Sequence, residues 1–223
     1  MQRLAGHWQL AVILCLVFAF WQSVALVPLK LLTVFFHEAS HAAATLLTGG
    51  DVLRLELSPA QGGSVLSRGG NRFVILNAGY LGSLLCGAAL VLAATRSTAD
   101  RVIMAGLGVL MLALAALYVR SGFTLIFLIG TGLAMLVASR FLAQGPNDLI
   151  LRVIGLTSMV YVPFDIYSDT IARAGLNSDA RMLAQEYGGT AQIWGVLWLV
   201  LSLAIILWTI RHLLGRSSNL ALR

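Results

Sequence analysis

Long apolar runs follow one another along this sequence and leave little chain for anything else. Most of them approach the roughly 20 residues that a helix needs to cross the hydrocarbon core of a membrane. Short polar segments between the runs carry most of the charged residues. The runs cover about 8–27, 29–47, 73–94, 102–119, 122–142, 149–170 and 191–210. The pattern predicts an all-α, multi-pass membrane protein, a bundle of about six to seven transmembrane helices.

Charged residues are scarce in this chain. They make up 11% of the 223 residues, and 59% are hydrophobic, whereas a soluble domain has roughly a quarter of its residues charged. So few charges cannot cover a soluble surface, and so apolar a chain does not stay disordered. The net charge of +6 comes from scattered residues and not from a basic cluster, so no nucleic-acid partner is expected. We expect one domain, 1–223, in the lipid bilayer of the cell (inner) membrane.

Residues 51–72 interrupt the apolar pattern. The segment 52–57 alternates between apolar and polar residues as a strand does, and 64–67 is a short second segment of the same kind. Between them lies a turn sequence that includes Gly62 and Gly63. The pattern predicts a small β-hairpin near residues 52–67.

A metal-binding motif lies in the second apolar run, where His37-Glu38-Ala39-Ser40-His41 forms an HExxH sequence. On a helix, residues four apart share a face, so His37 and His41 can hold one metal ion. Glu38 can then act as the general base on a water molecule at the metal. Zinc, one Zn²⁺ per chain, suits such an open site. The alternative interpretation is hydrogen bonding of these three side chains inside a packed bundle.

A third protein ligand must come from outside the motif. Asp165 and Asp169 are four residues apart at the end of an apolar run, where a charge is costly without a partner. Asp165 lies deeper, just after Pro163, and we expect it to be the third ligand. Asp169 is expected to support the site or anchor the following loop. The alternatives for this pair are a helix cap or an ion pair with Arg173, and Glu56 is not favoured because it lies in the predicted hairpin.

Several further motifs accompany HExxH. They are Phe36-His-Glu-Ala-Ser-His41, Leu47-Thr-Gly-Gly50, Gly62-Gly63 with Ser67-Arg-Gly-Gly70, Ala78-Gly-Tyr-Leu-Gly-Ser83, Asp165-Ile-Tyr-Ser-Asp169, and Asn177-Ser-Asp-Ala180 followed by Trp194. As a set, they resemble the site-2 protease family of intramembrane zinc metallopeptidases, in its compact peptidase M50B-like branch. The resemblance covers nearly the whole chain from residue 31 onward.

The resemblance implies a zinc endopeptidase that cleaves a membrane-protein substrate in or near its transmembrane segment, as in regulated intramembrane proteolysis. It implies His37 and His41 as metal ligands and Glu38 as the base. Larger site-2 proteases take their third ligand from an Asp followed by Gly, whereas Asp165 is followed by Ile166. Asp179 is therefore a second contender, with a helix N-cap as its alternative role.

The sequence also suggests residues that could bind a substrate, and it leaves alternative functions open. The hairpin, with Gly62 and Gly63, could hold an extended substrate by adding it as a strand, as is thought for relatives, or it could be an ordinary loop. Asn77 could bind a substrate carbonyl or a neighbouring helix. A non-proteolytic scaffold or chaperone that keeps a metal site, and a transporter relaying ions or protons, are the alternatives. The intact Glu38, which is not a ligand, favours the enzyme, and the lack of an inverted repeat counts against the transporter.

Overall fold

Helices account for most of the chain in a computed structural model, which describes residues 6–173, 178–213 and 218–219. Within these residues the helices are α1 (Trp8–Ala19), α2 (Val27–Leu47), α3 (Arg72–Arg96), α4 (Asp100–Tyr118), α5 (Gly122–Phe141), α6 (Gln144–Tyr167), α7 (Asp179–Tyr187) and α8 (Ala191–Leu213). A 3-10 turn, Val24–Leu26, precedes α2, and a π-helical turn, Ser168–Ala172, extends α6. Asn177, which begins the last motif quoted above, lies outside the described residues.

The described part of the chain contains five helices long and apolar enough to cross a membrane, namely α3, α4, α5, α6 with its extension, and α8. The short helix α1 has 12 residues, because the helix ends at Ala19 although the apolar run continues to Val27. Helix α2 has 21 residues, but Lys30, Glu38 and two histidines reduce its apolar character. The all-α, multi-pass membrane fold is confirmed, with an approximate span count of five long helices beside α1 and α2.

The predicted hairpin is confirmed as strands β1 (Asp51–Leu57) and β2 (Gly63–Arg68), which pair antiparallel. The β1 strand is anchored in the bundle through Leu57, whose N–H donates to the Thr124 hydroxyl at 2.9 Å and whose carbonyl accepts from it at 3.2 Å. The side chain of Leu55 is fully buried. The β2 strand has exposed and half-buried residues throughout. The hairpin therefore has one strand fixed to α5 and one strand that lies open.

Helix α3 packs closely against α6 because glycines meet where the helices cross. A Cβ atom at Gly87 would lie 2.8 Å from the Gly155 carbonyl oxygen, and one at Gly155 would lie 2.7 Å from the Gly87 carbonyl oxygen. Larger residues at either position would force the helices apart, and small residues often allow such close packing in membranes. This crossing fixes α3 beside α6, while the other face of α3 packs against α2.

A buried ion pair lies near the start of α6, far along the helix from Asp165. Arg152 is bonded to Asp148 one turn earlier, and both side chains are buried. The same guanidinium donates to the carbonyl oxygens of Ser218 and Ala94. These bonds compensate the desolvation of the charge and join α6 to α3 and to the end of the chain. They hold the bundle together at this end and take no part in the site described next.

Candidate metal centre

Helix α2 brings His37 and His41 together on one face, one helical turn apart. Their imidazole rings meet edge to face with centroids 4.7 Å apart, and their Nε2 atoms lie 3.0 Å from each other. Glu38 and His41 are buried, and His37 is half-buried. The helical spacing of HExxH therefore gives the geometry expected from the sequence, with two nitrogen donors aimed at one point.

Asp179 completes this group from the start of α7. Its Oδ2 atom lies 3.1 Å from Nε2 of His37 and 3.1 Å from Nε2 of His41. The N-cap role is taken by Ser178, whose hydroxyl accepts from the Arg181 N–H, so the Asp179 carboxylate is free to point at the histidines. Burial raises the pKa of this carboxyl, but the charges and hydrogen bonds of the two imidazoles outweigh burial and hold it well below its ordinary value.

The three donor atoms fit a zinc ion. They lie 3.0–3.1 Å apart, near the roughly 3.3 Å that separates the ligand atoms of tetrahedral zinc with bonds of about 2.0–2.1 Å. His41 donates its Nδ1 hydrogen to the Ile75 carbonyl oxygen at 2.8 Å, and its Nε2 atom faces Asp179. A second ring nitrogen bonded to a carbonyl is typical of metal-ligating histidines.

Asp165, which is expected from the sequence to be the third ligand, is not part of the donor group that forms among the described residues. It lines the same cavity, but within the described residues the group whose ligand atoms all lie within 4.8 Å of one another is His37, His41 and Asp179. The reason is the position of α7, whose first residue lies against α2, an approach that helical periodicity does not reveal.

Asp169 and Tyr80 support the site from behind His37. The Tyr80 ring packs edge to face on the His37 ring with centroids 4.7 Å apart, while its hydroxyl donates to Asp169 at 3.0 Å. Asp169 also accepts from Arg173 at 2.8 Å, one of the alternatives raised by the sequence. These contacts restrict the orientation of His37. The role of Tyr80 was missed, although it lies inside a quoted motif.

The two glycines of the hairpin differ in their surroundings, and Asn77 has a packing role. A Cβ atom at Gly63 would lie 2.6 Å from the Glu38 carboxylate, whereas one at Gly62 would have nothing within 4 Å. Asn77 accepts from the Trp198 indole at 2.8 Å and donates to the Phe73 carbonyl oxygen, so it joins α3 to α8. The hairpin therefore approaches the HExxH motif at Gly63.

A cavity of about 680 Å³ surrounds the group and gives access to it. Its lining includes the three potential ligands, Glu38, Asp165, Asp169, Tyr80 and the hairpin residues 60–65. Many of these groups are polar, so the cavity can hold water inside an otherwise apolar bundle. Water and an extended chain segment can therefore both reach the side chains of α2.

Gly79 lets α3 approach the Nε2 atoms of the two histidines. A Cβ atom there would lie 2.5 Å from His41 Nε2 and still closer to His37 Nε2, so an added methyl group would occupy the space at the ligand atoms. We expect Gly79→Ala to weaken zinc binding at least as much as loss of a supporting residue does, about 10–100-fold. The measurement is a zinc titration of the metal-free protein in detergent.

Gly106→Ala is the matched control for this substitution. A Cβ atom at Gly106, inside α4, has nothing within 4 Å. This variant should bind zinc as the wild type does. Equal affinity of all three proteins would contradict the steric role assigned to Gly79.

Comparison with known proteins finds one family model that matches most of the chain. A family model described as peptidase M50B-like matches residues 10–209. The match runs from α1 into α8 and includes both histidines, Glu38 and Asp179. No curated protein and no solved structure matches the chain significantly.

Proposed function

The chain belongs to the peptidase M50B-like family, and on this premise we propose that it is a zinc-dependent intramembrane endopeptidase. It hydrolyses a peptide bond in or near a transmembrane segment of a membrane-protein substrate, within the cell (inner) membrane. The observation that carries the proposal is the triangle of donor atoms from His37, His41 and Asp179, with sides of 3.0–3.1 Å, beside Glu38. Helix packing alone does not require three such donor atoms to converge on one point.

His37, His41 and Asp179 would hold one zinc ion and leave the fourth position open to the cavity. When bound, zinc polarises a carbonyl group and makes a water molecule more acidic. Asp165 stays in the same cavity but outside the ligand group, and Asp169 holds Tyr80 against His37. Two nitrogens and one carboxylate oxygen are a ligand set found in catalytic zinc sites.

Glu38 is the general base and acid of the proposed reaction. Its carboxylate is buried, follows the first ligand directly and faces the cavity. It takes a proton from the attacking water and gives it to the leaving nitrogen of the scissile bond. The proton that Glu38 takes from the water is the one that it gives to the leaving nitrogen, so the carboxylate is regenerated at the end of each cycle.

The open strand β2 is the proposed docking edge for the substrate. Helical substrates hide their backbone carbonyls, and an extended segment can pair with a free strand edge through main-chain hydrogen bonds. Ser64 and Val65 of β2 line the cavity, and Gly63 brings the start of this strand against Glu38. The fixation of β1 through Thr124 keeps the hairpin in place while β2 stays open.

The test uses the purified protein in detergent and a mixture of synthetic peptides with transmembrane-like sequences. We expect about one zinc per chain and cleavage that stops when 1,10-phenanthroline removes the metal and resumes when Zn²⁺ is restored. Absence of zinc after a metal-replete preparation would overturn the proposal. Bound zinc without any cleavage would favour the non-proteolytic scaffold.

A further inference from the structure

Lys30 lies on the same face of α2 as the two histidines. It precedes His37 by seven residues and His41 by eleven, which places Lys30 within about 20° of each histidine around a helix of 3.6 residues per turn. All three line the cavity described above. The lysine therefore lies at the metal-site cavity, roughly 10 Å along the helix axis from His37 at 1.5 Å per residue.

The lysine side chain is buried without an anionic partner. Only 7% of Lys30 is exposed. Its Nζ lies 4.7 Å from the centre of the Trp21 ring, and within the described residues the ammonium has no hydrogen bond or ion pair. The other two basic residues at the cavity are already engaged, Arg72 with Glu186 and Arg173 with Asp169.

The Lys30 ammonium can bind an anion. The Trp21 ring attracts the ammonium but does not neutralise its charge. Lys30 is largely buried, but its Nζ is not among the described unbonded atoms that are closed off from solvent, so the ammonium remains accessible at the cavity. An anion that enters the cavity would therefore meet an unpaired positive charge.

The hairpin turn indicates which molecule would bring the anion. Residues 60–62 line the same cavity as Lys30, whereas β2 begins beside Glu38 at Gly63 and leads towards the C-terminal end of α2, away from Lys30. A substrate that pairs with β2 and continues in extended form past the turn towards Lys30 advances about 3.3 Å per residue, so the roughly 10 Å between Lys30 and His37 corresponds to roughly three residues. A carboxylate about three residues from the scissile bond would meet the lysine.

We propose that Lys30 is a specificity-determining residue that binds a substrate carboxylate about three residues from the scissile bond. The carboxylate is either an Asp or Glu side chain or a free C terminus. The proposal rests on the proposed function, because it assigns a role to Lys30 within that cleavage reaction. It adds to that function a preference for substrate segments that carry an acidic side chain or a free C terminus.

The first experiment reads cleavage sites by mass spectrometry in two synthetic peptide libraries. One library has amidated C termini and contains Asp, Glu, Asn and Gln, and the other has free C termini and no acidic residues. With the wild type we expect acidic residues to be enriched about tenfold over their amides near the third residue from the cut, or cuts to cluster there before a free C terminus. The two libraries distinguish the two sources of carboxylate.

Variants connect this preference to Lys30. Lys30→Met should abolish the enrichment, Lys30→Arg should keep it, and Lys30→Glu should replace it with enrichment of basic residues. Arg72→Gln is the matched control at the same cavity and should keep the acidic preference. A preference that survives in Lys30→Met, or a wild type that cleaves with no preference of either kind, would overturn the proposal while leaving the peptidase intact.

A binding measurement separates failure of this proposal from failure of the proposed function. Labelled peptides with Glu or Gln at the selected position are titrated into Glu38→Gln protein with and without Lys30→Met. We expect the Glu peptide to bind about tenfold more tightly than the Gln peptide only where Lys30 is present. Equal binding of both peptides overturns the carboxylate site. A wild type that binds zinc but cleaves neither library overturns the peptidase and, with it, this role for Lys30.

Discussion

Glu38→Gln is expected to lower peptide cleavage by about 10²–10⁴-fold, because removal of a general base costs this much in rate. The amide keeps the shape of the side chain but cannot take a proton from water. Zinc content should stay at the wild-type value, since Glu38 is not among the three donors that meet. The measurements are the initial rate of peptide cleavage and the zinc per chain on the same preparation.

Glu56→Gln is the matched control for this base. Glu56 lies on β1 and pairs with Arg54 at 3.5 Å, and it does not line the cavity. Its cleavage rate and zinc content should match those of the wild type. A Glu38→Gln protein that cleaves at the wild-type rate would exclude the proposed role of Glu38.

Asp179→Asn should lose zinc, because it removes the negative charge from the third donor. The expected fall in affinity exceeds the 10–100-fold that supporting residues around a metal contribute. Cleavage should fall with zinc occupancy and should return in part at high zinc concentration. The measurement is a zinc titration of the metal-free protein, followed by the cleavage rate at each zinc concentration.

Asp165→Asn provides the comparison that discriminates between the two aspartates. Its carboxylate lines the same cavity, so the substitution makes the same chemical change at a similar depth. We expect this variant to keep zinc. If Asp165→Asn loses the metal and Asp179→Asn keeps it, the ligand set inferred from the sequence is the right one and the arrangement of α7 must change when zinc binds.

Much of the fold can be predicted from this sequence because its signals are local. An apolar run of about 20 residues becomes a membrane helix without long-range information. The hairpin follows from alternation and turn residues between two such runs, and both strands form within a residue of the expected positions. The first run was overextended, because residues after Ala19 leave the helix before α2 begins at Val27.

Only the part of the site that lies within one helix could be predicted from the sequence. His37, Glu38 and His41 share one helical turn, and helix geometry alone brings the two histidines to 3.0 Å. Asp179 follows His37 by 142 residues, and its approach depends on where α7 packs in the assembled bundle. Ser and Asp at the start of a helix are typical of a cap, so the sequence signal was ambiguous.

Supporting contacts were missed for the same reason. The Tyr80 ring meets His37 across two helices, and Gly79 makes room for the histidine nitrogens from the same neighbouring helix. Both residues lie in a motif that supports the family resemblance, but the motif alone suggests only close helix packing. Their roles depend on which face of α3 turns towards α2, and this is a property of the assembled bundle.

The donors of the metal centre come from opposite ends of the chain, which matters for synthesis on the ribosome. Two are made early, in α2, and the third is added only after α6 has been synthesised. Since the chain grows at about 5–20 residues per second, a nascent protein spends seconds with an incomplete ligand set. The proposed peptidase activity would therefore be absent in the insertion machinery, where many immature membrane segments are within reach, until α7 has been made.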